Sequence, residues 1–373
     1  STSSFYQQAG RAGRKGEGLI LTAFFNNPLE NYYFNHAQYF FKKPPEKVKV
    51  MITNPKIIEK HLLFAEIENG LSKKDYKYFP KEQVDKFIAN PPDTEHINDL
   101  YQKSLRTTIG DSLEIMSLEQ PVSGAIDLTV AKRDIFVGAV YRTPDIDYLI
   151  EEINWNTKVA NARPFRKADY YTKSYNRKDI TTMKIIESAQ YGALTINFED
   201  VKFTSTPINY FKIYYSSKAP ERQDFSNYQP KTEFETNSLR IVIGENLIKE
   251  LLELYDFDSI VEGAVSIENA LFSMFSDLVE CDMNDIGSCS TFTKDKEINI
   301  FLFDNYSNGL ELTKEAFFQF TRLISVTQNL IKNCACNRQE GCPSCVQRYQ
   351  PFNPLQTNRL VALDILKRIE TCL

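Results

Sequence analysis

Four cysteines near the end of the chain have the type and spacing of a metal site: Cys334, Cys336, Cys342 and Cys345. Two close pairs, joined by a short polar turn with Gly341, can place four thiolates around one Zn²⁺ with Zn–S bonds of about 2.3 Å. Four thiolates leave no open position for water, so the pattern predicts a structural Zn²⁺ and not a catalytic one. Three nearby cations could offset the negative charge of such a centre: Lys332, Arg338 and Arg348.

Two other interpretations of these cysteines compete with zinc. One is a redox dithiol at Cys342 and Cys345, with Cys342 reactive and no metal bound, and the other is a set of reduced surface thiols. A redox pair does not need Cys334 and Cys336. Its CxxC motif usually opens a helix after a strand in a thioredoxin-like unit, a pattern that this sequence does not show. Structural zinc is therefore the favoured prediction.

A second group of residues that could do chemistry lies at the start of the chain, in the spacing Gln7-x-x-Gly10-Arg11-x-Gly13-Arg14. The glycines let the backbone pass close to a neighbouring surface, while two guanidinium groups three residues apart project toward one point. Guanidinium groups aimed at a γ-phosphate stabilise the charge that develops during phosphoryl transfer. The alternative is a solvated basic loop in which glycine provides flexibility.

Composition and charge are those of a globular protein. The chain has 373 residues, 42% hydrophobic and 25% charged, which suits roughly two to four domains. No apolar run approaches the roughly 18 residues of a membrane helix and no secretory signal opens the chain, so we expect a cytoplasmic protein with no membrane partner. The net charge is −5, yet residues 1–50 carry seven Lys and Arg against three acids, and residues 158–184 carry eight against two. Such local fields are compatible with a nucleic-acid partner.

The elements around the arginine motif predict an incomplete domain. An apolar segment at residues 19–25 predicts a buried strand, followed by a turn at Asn26-Asn27-Pro28. A helix, a loop and one strand cannot bury their faces alone, so the chain is expected to begin within a domain. Helices at residues 55–69 and 81–89, with β-like segments near 113–115 and 125–130, favour a winged-helix-like domain after it.

The remaining pattern changes from strands to helices. Short strands are expected at residues 136–141, 148–153, 157–164, 183–187, 193–198 and 211–215, as in a largely antiparallel sheet or small barrel. Helices at 247–255, 260–278, 314–331 and 355–369 follow, with a core strand at 298–303. The helix at 314–331 would deliver Cys334, and the last helix would pack over the cysteine cluster.

Basic and aromatic residues alternate in one part of the strand region. Tyr170, Tyr171 and Tyr175 stand among the basic residues between Lys158 and Lys178. Such interleaving can follow a nucleic-acid backbone and stack a base. A solvated face of a sheet is the slightly favoured alternative.

The arginine motif resembles the last motif of superfamily 2 helicases, QxxGRxGR. In that family the motif lies on the second RecA-like domain and faces a nucleotide held by the first. The resemblance implies that Arg11 and Arg14 are arginine fingers, with Arg14 the main one, and that Gln7, Gly10 and Gly13 belong to the nucleotide interface. It also implies ATP and Mg²⁺ as cofactors of the full-length protein. The sequence contains no GxxxxGK[ST] phosphate loop, so this chain alone is not expected to hydrolyse ATP and would need the missing N-terminal RecA-like domain as a partner.

Further segments resemble the mitomycin-repair-factor (MrfA-like) helicases, in the order of that family. They are Gly138-Ala139-Val140-Tyr141, Tyr148-Leu149-Ile150-Glu151-Glu152, Asp169-Tyr170-Tyr171-Thr172, Cys281-Asp282-Met283-Asn284-Asp285-Ile286-Gly287 and Gly341-Cys342-Pro343-Ser344-Cys345-Val346-Gln347. The resemblance implies an ATP-driven 3′-to-5′ DNA helicase of DNA repair, with a C-terminal MZB-type zinc-binding domain and single-stranded or 3′-tailed duplex DNA as partner. The chain departs from the family at Glu268-Asn269-Ala270 and at residues 303–309, so a viral, plasmid or defence role is an alternative.

The resulting fold prediction is an α+β multidomain chain. Residues 1–53 are interpreted as the end of the second RecA-like domain, 54–130 as a winged-helix-like domain, and 131–373 as a mixed sheet and helical domain with the four-cysteine zinc site. The predicted function is the C-terminal portion of an ATP-dependent DNA helicase or translocase. The alternative from another class is a non-catalytic zinc module, from a split gene, that binds nucleic acid or protein. The residues predict no particular oligomeric state.

Overall fold

A computed structural model describes residues 2–13, 15–24, 27–42, 55–91, 112–166, 168–293, 297–348 and 356–370. The chain divides into two compact units. The larger unit comprises Ser1–Met51, Thr181–Lys202 and Glu235–Leu373, and the smaller comprises Ile52–Ile180 and Phe203–Phe234. The domain boundaries proposed from the sequence stay predictions.

The helices lie mainly at the two ends of the chain. They are α1 (Thr2–Ala9), α2 (Pro28–Asn35), α3 (Ala37–Lys42), α4 (Pro55–Asn69), α5 (Lys81–Ala89), α6 (Leu128–Asp134), α7 (Glu245–Leu252), α8 (Phe257–Leu278), α9 (Leu312–Phe318), α10 (Phe320–Lys332) and α11 (Arg359–Glu370). Short 3₁₀ helices occur at Lys73–Lys77 and Met283–Asp285. Within the part of the chain that the structure describes, no helix is long and apolar enough to cross a membrane.

The strands form two sheets. They are β1 (Ser112–Ser117), β2 (Gln120–Pro121), β3 (Ile126–Asp127), β4 (Val140–Arg142), β5 (Asp147–Asn154), β6 (Val159–Pro164), β7 (Tyr170–Tyr191), β8 (Leu194–Tyr214), β9 (Glu221–Gln223), β10 (Thr232–Ile243), β11 (Ile286–Thr293) and β12 (Glu297–Asp304). The first sheet has the order β2-β1-β6-β5-β4, with β3 paired to β1, and the second has the order β11-β12-β10-β8-β7, with β9 paired to β8. Strands β1 and β6 are parallel, whereas β4, β5 and β6 are joined by antiparallel pairs. The mixed α and β fold class is confirmed.

Helix α8 is the centre of the larger unit. Buried residues lie on every face of it between Ile260 and Phe275, a pattern typical of a helix that is covered all round. Asp256 begins it, because its carboxylate accepts a hydrogen bond from the Ser259 backbone N–H at 2.7 Å. Helices α10 and α11 and strand β11 pack against α8. The cysteine cluster lies in the segment between the end of α10 and the start of α11. Because both of these helices pack against α8, α8 supports the cluster.

The apolar segment at residues 19–25 does not form the predicted strand. Residues 19–24 belong to no strand, and Leu19 and Leu21 are 82% and 87% exposed, while Phe25 lies outside the described residues. A strand that is apolar on both faces is buried only within a sheet covered on both sides. None of the described strands pairs with this segment, which explains why the prediction was wrong here.

A buried carboxylate closes the loop between β12 and α9. Asp304 is fully buried and accepts hydrogen bonds from the backbone N–H groups of Leu310 at 2.6 Å, Leu312 at 3.1 Å and Thr313 at 3.0 Å. Burial nevertheless raises the pKa of Asp304 to about 6, although the three N–H groups act in the opposite direction. The folded protein therefore takes up a proton on Asp304 at a higher pH than the unfolded chain does.

We expect Asp304→Asn to change how stability depends on pH. Because the folded-state pKa is raised, the free energy of unfolding of the native protein should fall, relative to the variant, as the pH rises from about 4 to about 7. The new side-chain amide presents an N–H₂ group to backbone N–H groups, and one donor cannot accept from another. This mismatch should lower the free energy of unfolding of the variant by the same amount at every pH. Urea denaturation across this pH range measures the slope. The exposed Asp258→Asn is the control, and a native-like slope in Asp304→Asn would contradict the assignment.

Candidate metal centre and arginine loop

The structure brings the four predicted cysteine ligands together. Their sulfur atoms all lie within 4.8 Å of one another. The Sγ–Sγ distances are 3.5 Å for Cys334 and Cys342, 3.9 Å for Cys336 and Cys345, and 3.8 Å for Cys342 and Cys345. A tetrahedron with Zn–S bonds of about 2.3 Å has edges of about 3.8 Å, whereas a disulfide brings two sulfurs to about 2.05 Å. The donor set and its spacing fit one tetrahedral Zn²⁺.

Two backbone turns make this arrangement possible. Helix α10 ends at Lys332, two residues before Cys334, and Asn337 and Gly341 then adopt positive φ angles of 48° and 76°. A Cβ atom on Gly341 would lie 2.2 Å from a methyl carbon of Val346 and 3.2 Å from the sulfur of Cys345. The glycine predicted as part of a polar turn is therefore required by both its backbone angle and its close approach to the cluster.

Backbone N–H groups point at the sulfurs. The N–H of Cys342 donates to Cys345 Sγ at 3.2 Å, and the N–H of Ser344 donates to Cys342 Sγ at 3.3 Å. Burial raises the pKa of the Cys345 thiol, whereas at Cys336 burial is outweighed by hydrogen bonds from the Arg338 backbone and the other cysteines, which lower the pKa. Donors of this kind stabilise thiolates in the positions that a metal needs.

Arg359 supports the first cysteine pair and was missed by the sequence analysis. It is 6% exposed, and its guanidinium donates to the carbonyls of Ile331 at 2.9 Å, Lys332 at 3.3 Å and Cys334 at 3.2 Å. The carbonyls of Ile331 and Lys332 lie in the last turn of α10, where no further helical N–H is available to them. The Arg359 backbone N–H also donates to the carbonyl of Gln339 at 2.7 Å. Arg359 therefore binds the backbone on both sides: the segment that leads from α10 to Cys334, and, through Gln339, the turn between the two cysteine pairs.

The second cysteine pair is held by α8. The side-chain amide of Asn269 donates to the carbonyl of Val346 at 3.0 Å, and both residues are buried. Asn269 is the position at which the chain departs from the Glu-His-Ala pattern of the resembled family, and its amide forms this hydrogen bond to the backbone beside Cys345.

Of the three cations predicted to lie near the cluster, Arg348 is placed against α8. Its guanidinium carbon lies 3.6 Å from the centre of the Phe272 ring, and its guanidinium donates to Ser288 Oγ at 3.1 Å. Lys332 and Arg338 are exposed.

The described part of the arginine motif lies at the end of α1 and in the exposed turn that follows. The helix ends at Ala9, Gly13 has a φ of 68°, and a Cβ on Gly18 would lie 2.5 Å from the Gly13 nitrogen. The side chains of Gln7 and Arg11 are exposed. Arg14, the main predicted finger, lies outside the described residues. The roles assigned to Gln7, Gly10, Arg11, Gly13 and Arg14 stay predictions.

The region around the cysteine cluster is similar to a known family of zinc-binding domains. Residues 267–346 match the family described as MZB, the MrfA Zn-binding domain. This span runs from α8 to the end of the cysteine cluster and includes both Asn269 and Val346. The match therefore includes all four cysteines of the cluster.

Comparison with particular proteins extends the similarity to nearly the whole chain. The chain is 24% identical to the uncharacterized ATP-dependent helicase YprA of Bacillus subtilis, over 93% of this chain and 47% of that protein. It is 23% identical to the ATP-dependent helicase hrq1 of Schizosaccharomyces pombe, over 93% of this chain and 35% of that protein. This chain spans less than half the length of these relatives.

Solved structures show the same fold. The crystal structure of the DUF1998 helicase MrfA bound to DNA matches 99% of this chain and 50% of that chain, with a TM-score of 0.60 and 22% identity. The structure of MrfA bound to DNA and AMPPNP matches 98% of this chain and 48% of that chain, with a TM-score of 0.52 and 22% identity. The chain is thus similar to the C-terminal part of MrfA-type helicases.

Proposed function

We propose that this chain is the C-terminal portion of an ATP-dependent DNA helicase or translocase. The observation that carries the proposal is the similarity to ATP-dependent helicases over 93% of the chain, because this span extends far beyond the 267–346 zinc-binding segment. The DNA partner follows from the DNA-bound MrfA structures of the same fold. Single-stranded or 3′-tailed duplex DNA is the proposed form, and DNA repair the proposed role.

The zinc part of the proposal assigns Cys334, Cys336, Cys342 and Cys345 as ligands of one structural Zn²⁺. The ion supplies charge and four bonds that fix the two turns, with no position for a reacting group. Arg359 and Asn269 orient the backbone on either side of the cluster, as the outer partners of metal ligands commonly do. The result is a rigid platform on α8 for the DNA-binding surface of the domain.

The motor part of the proposal assigns Arg11 and Arg14 as fingers that reach toward a triphosphate held by another RecA-like domain. Gln7, Gly10 and Gly13 form the surface that meets this domain, which would also hold Mg²⁺. Residues 1–53 are then the end of the second RecA-like domain, 54–130 a winged-helix-like domain and 131–373 the zinc-containing domain. The exposed Leu19 and Leu21 support this division, because an adjoining sheet of the same RecA-like domain would cover them. On its own the chain would not hydrolyse ATP.

We expect Arg14→Ala to lower DNA-stimulated ATP turnover of the protein that joins this chain to a phosphate-loop domain. Arginine fingers contribute about 10³- to 10⁵-fold to turnover, so a loss of at least about 100-fold is expected, with little change in DNA affinity or zinc content. Steady-state ATPase assays with and without single-stranded DNA measure the effect. Lys15→Ala, which removes the adjacent charge, is the control. Undiminished turnover in Arg14→Ala with DNA present would remove the finger assignment.

A further inference from the structure

Two tyrosines and an arginine form a small aromatic surface in the smaller unit. The rings of Tyr171, at the start of β7, and Tyr215, just after β8, lie 5.9 Å apart with an angle of 33° between their planes. The guanidinium carbon of Arg142, at the end of β4, lies 4.9 Å from the centre of the Tyr215 ring and 5.9 Å from that of Tyr171. Tyr215 is 56% exposed. We call Arg142, Tyr171 and Tyr215 the Tyr215 surface.

Arg142 lies over these rings although a carboxylate is available nearby. Asp147 is its direct cross-strand partner in the β4–β5 pair, and directly opposed side chains of this kind are within reach of an ion pair. Among the ion pairs of the described residues, however, none includes Arg142. Its charge is therefore not neutralised by a carboxylate and is directed toward two aromatic rings.

The neighbouring tyrosine pair provides an internal comparison. Tyr170 and Tyr214 are the sequence neighbours of Tyr171 and Tyr215, so they point to the opposite face of the strands. One cation beside them, Lys218, lies 3.9 Å from the centre of the Tyr214 ring but pairs with Glu221 at 2.6 Å, and the Tyr214 hydroxyl also donates to Glu221 at 2.9 Å. A second, Lys212, lies 5.3 Å from the centre of the Tyr170 ring. Glu221 therefore offsets the charge of Lys218, whereas no ion pair among the described residues offsets that of Arg142.

The chain around Tyr171 is strongly basic. Residues 158–178 contain seven Lys and Arg and a single acidic residue, Asp169. Two of these cations are paired, Arg163 with Glu151 and Arg177 with Asp179, which leaves an excess of positive charge. A positive field of this kind attracts a polyanion, and exposed rings with an arginine stack unpaired bases without regard to sequence. Double-stranded nucleic acid has no free base face for such stacking. The combination therefore selects single strands.

We propose that the Tyr215 surface is a binding site for single-stranded nucleic acid, with a base stacked on Tyr215 and Arg142 facing the adjoining phosphate. The proposal deepens the proposed function, on which it rests for the class of substrate. It places a site for the strand in the smaller compact unit, which does not contain the four cysteines. The contact is independent of sequence, as a translocating protein requires.

The test is fluorescence anisotropy of this chain with a labelled oligothymidylate of about 20 nucleotides, a length that exceeds the footprint of a single stacking site. We expect Tyr215→Ala to weaken binding about 5- to 100-fold, and Tyr215→Phe, which keeps the ring, to bind like the native protein. Arg142→Gln should weaken binding and lower the slope of log affinity against log salt by about 0.7. Affinity for a duplex of equal length should change little in Tyr215→Ala.

Two control variants match these changes elsewhere in the smaller unit. Tyr228→Ala removes another exposed tyrosine, which is 77% exposed, and Lys218→Gln removes a positive charge from the opposite face. If native protein binds the probe and Tyr215→Ala binds as tightly as Tyr228→Ala does, the surface assignment is overturned while the proposed DNA-binding function stands. If the native protein fails to bind the probe, both are overturned. Zinc content and circular dichroism confirm that each variant is folded.

Discussion

Replacing Cys345 with serine is expected to abolish stoichiometric zinc binding and to destabilise the larger unit. Cys345 is fully buried, and its sulfur lies 3.9 Å from that of Cys336 and 3.8 Å from that of Cys342. Binding of a structural Zn²⁺ contributes about 10–16 kcal/mol in small zinc domains. Loss of one of four ligands should therefore lower the free energy of unfolding by more than about 4 kcal/mol. Elemental analysis and urea denaturation measure the two effects.

Cys281→Ser is the matched control for this variant. Cys281 is a half-buried thiol that lies outside the cluster, and burial raises its pKa to about 12. We expect the control to retain one zinc ion per chain. Removal of zinc from native protein by a chelator should reproduce the instability of Cys345→Ser. Full zinc content and native stability in Cys345→Ser would rule out the four-cysteine site. If the native protein is free of metal and Cys342 is reactive, the redox dithiol at Cys342 and Cys345 is favoured instead.

Arg359→Met is expected to have the second-largest effect, because it removes a cation without opening a large cavity. The carbonyls of Ile331, Lys332 and Cys334 would lose their guanidinium donor. The hydrogen bond to Ile331 is buried, whereas those to Lys332 and Cys334 are partly buried. Leaving a buried polar group without its partner costs about 1–3 kcal/mol, so we expect a loss of about this size in the free energy of unfolding. Zinc should also leave faster, since the carbonyl of Cys334 is no longer held. Release of zinc to a chromogenic chelator measures this rate.

Two comparisons separate this role from a general effect of charge. Arg359→Lys keeps the positive charge but cannot donate in a fixed fork, so it should restore only part of the stability and of the slow zinc release. Arg338→Met removes an exposed cation from the turn between the two cysteine pairs, and this variant should release zinc at the native rate. Equal release rates in Arg359→Met and Arg338→Met would show that Arg359 does not position the cluster.

The cysteine cluster could be predicted from the sequence because its ligands are local. Twelve consecutive residues contain all four thiols, and Gly341 marks the turn that joins the pairs. Arg359 could not be found in this way, because its importance depends on α11 beginning beside the end of α10. The helix itself was predicted. An arginine at the start of a helix ordinarily faces solvent, and no local pattern distinguishes one that is buried against distant carbonyls.

Strand prediction failed where pairing depends on distant partners. Strand β10 was missed although residues 239–243 alternate in burial, and several short predicted strands are parts of the long β7 and β8. Helix prediction succeeded for α4, α5 and α8, because their periodicity is local. The expected helix at 314–331 is divided at Gln319, where the backbone leaves helical geometry with φ −104° and ψ 21°.

The burial of Val346 against α8 has a consequence for biosynthesis. Asn269 is translated 77 residues before the carbonyl to which it donates, and Arg359 is added later still. While the ribosome is making the intervening residues, α8 exposes an apolar surface that only the last part of the larger unit covers. Ribosome-bound intermediates should therefore bind chaperones until the segment from Cys334 to Cys345 has emerged. The zinc supply of the cell should then set how quickly this segment folds against α8.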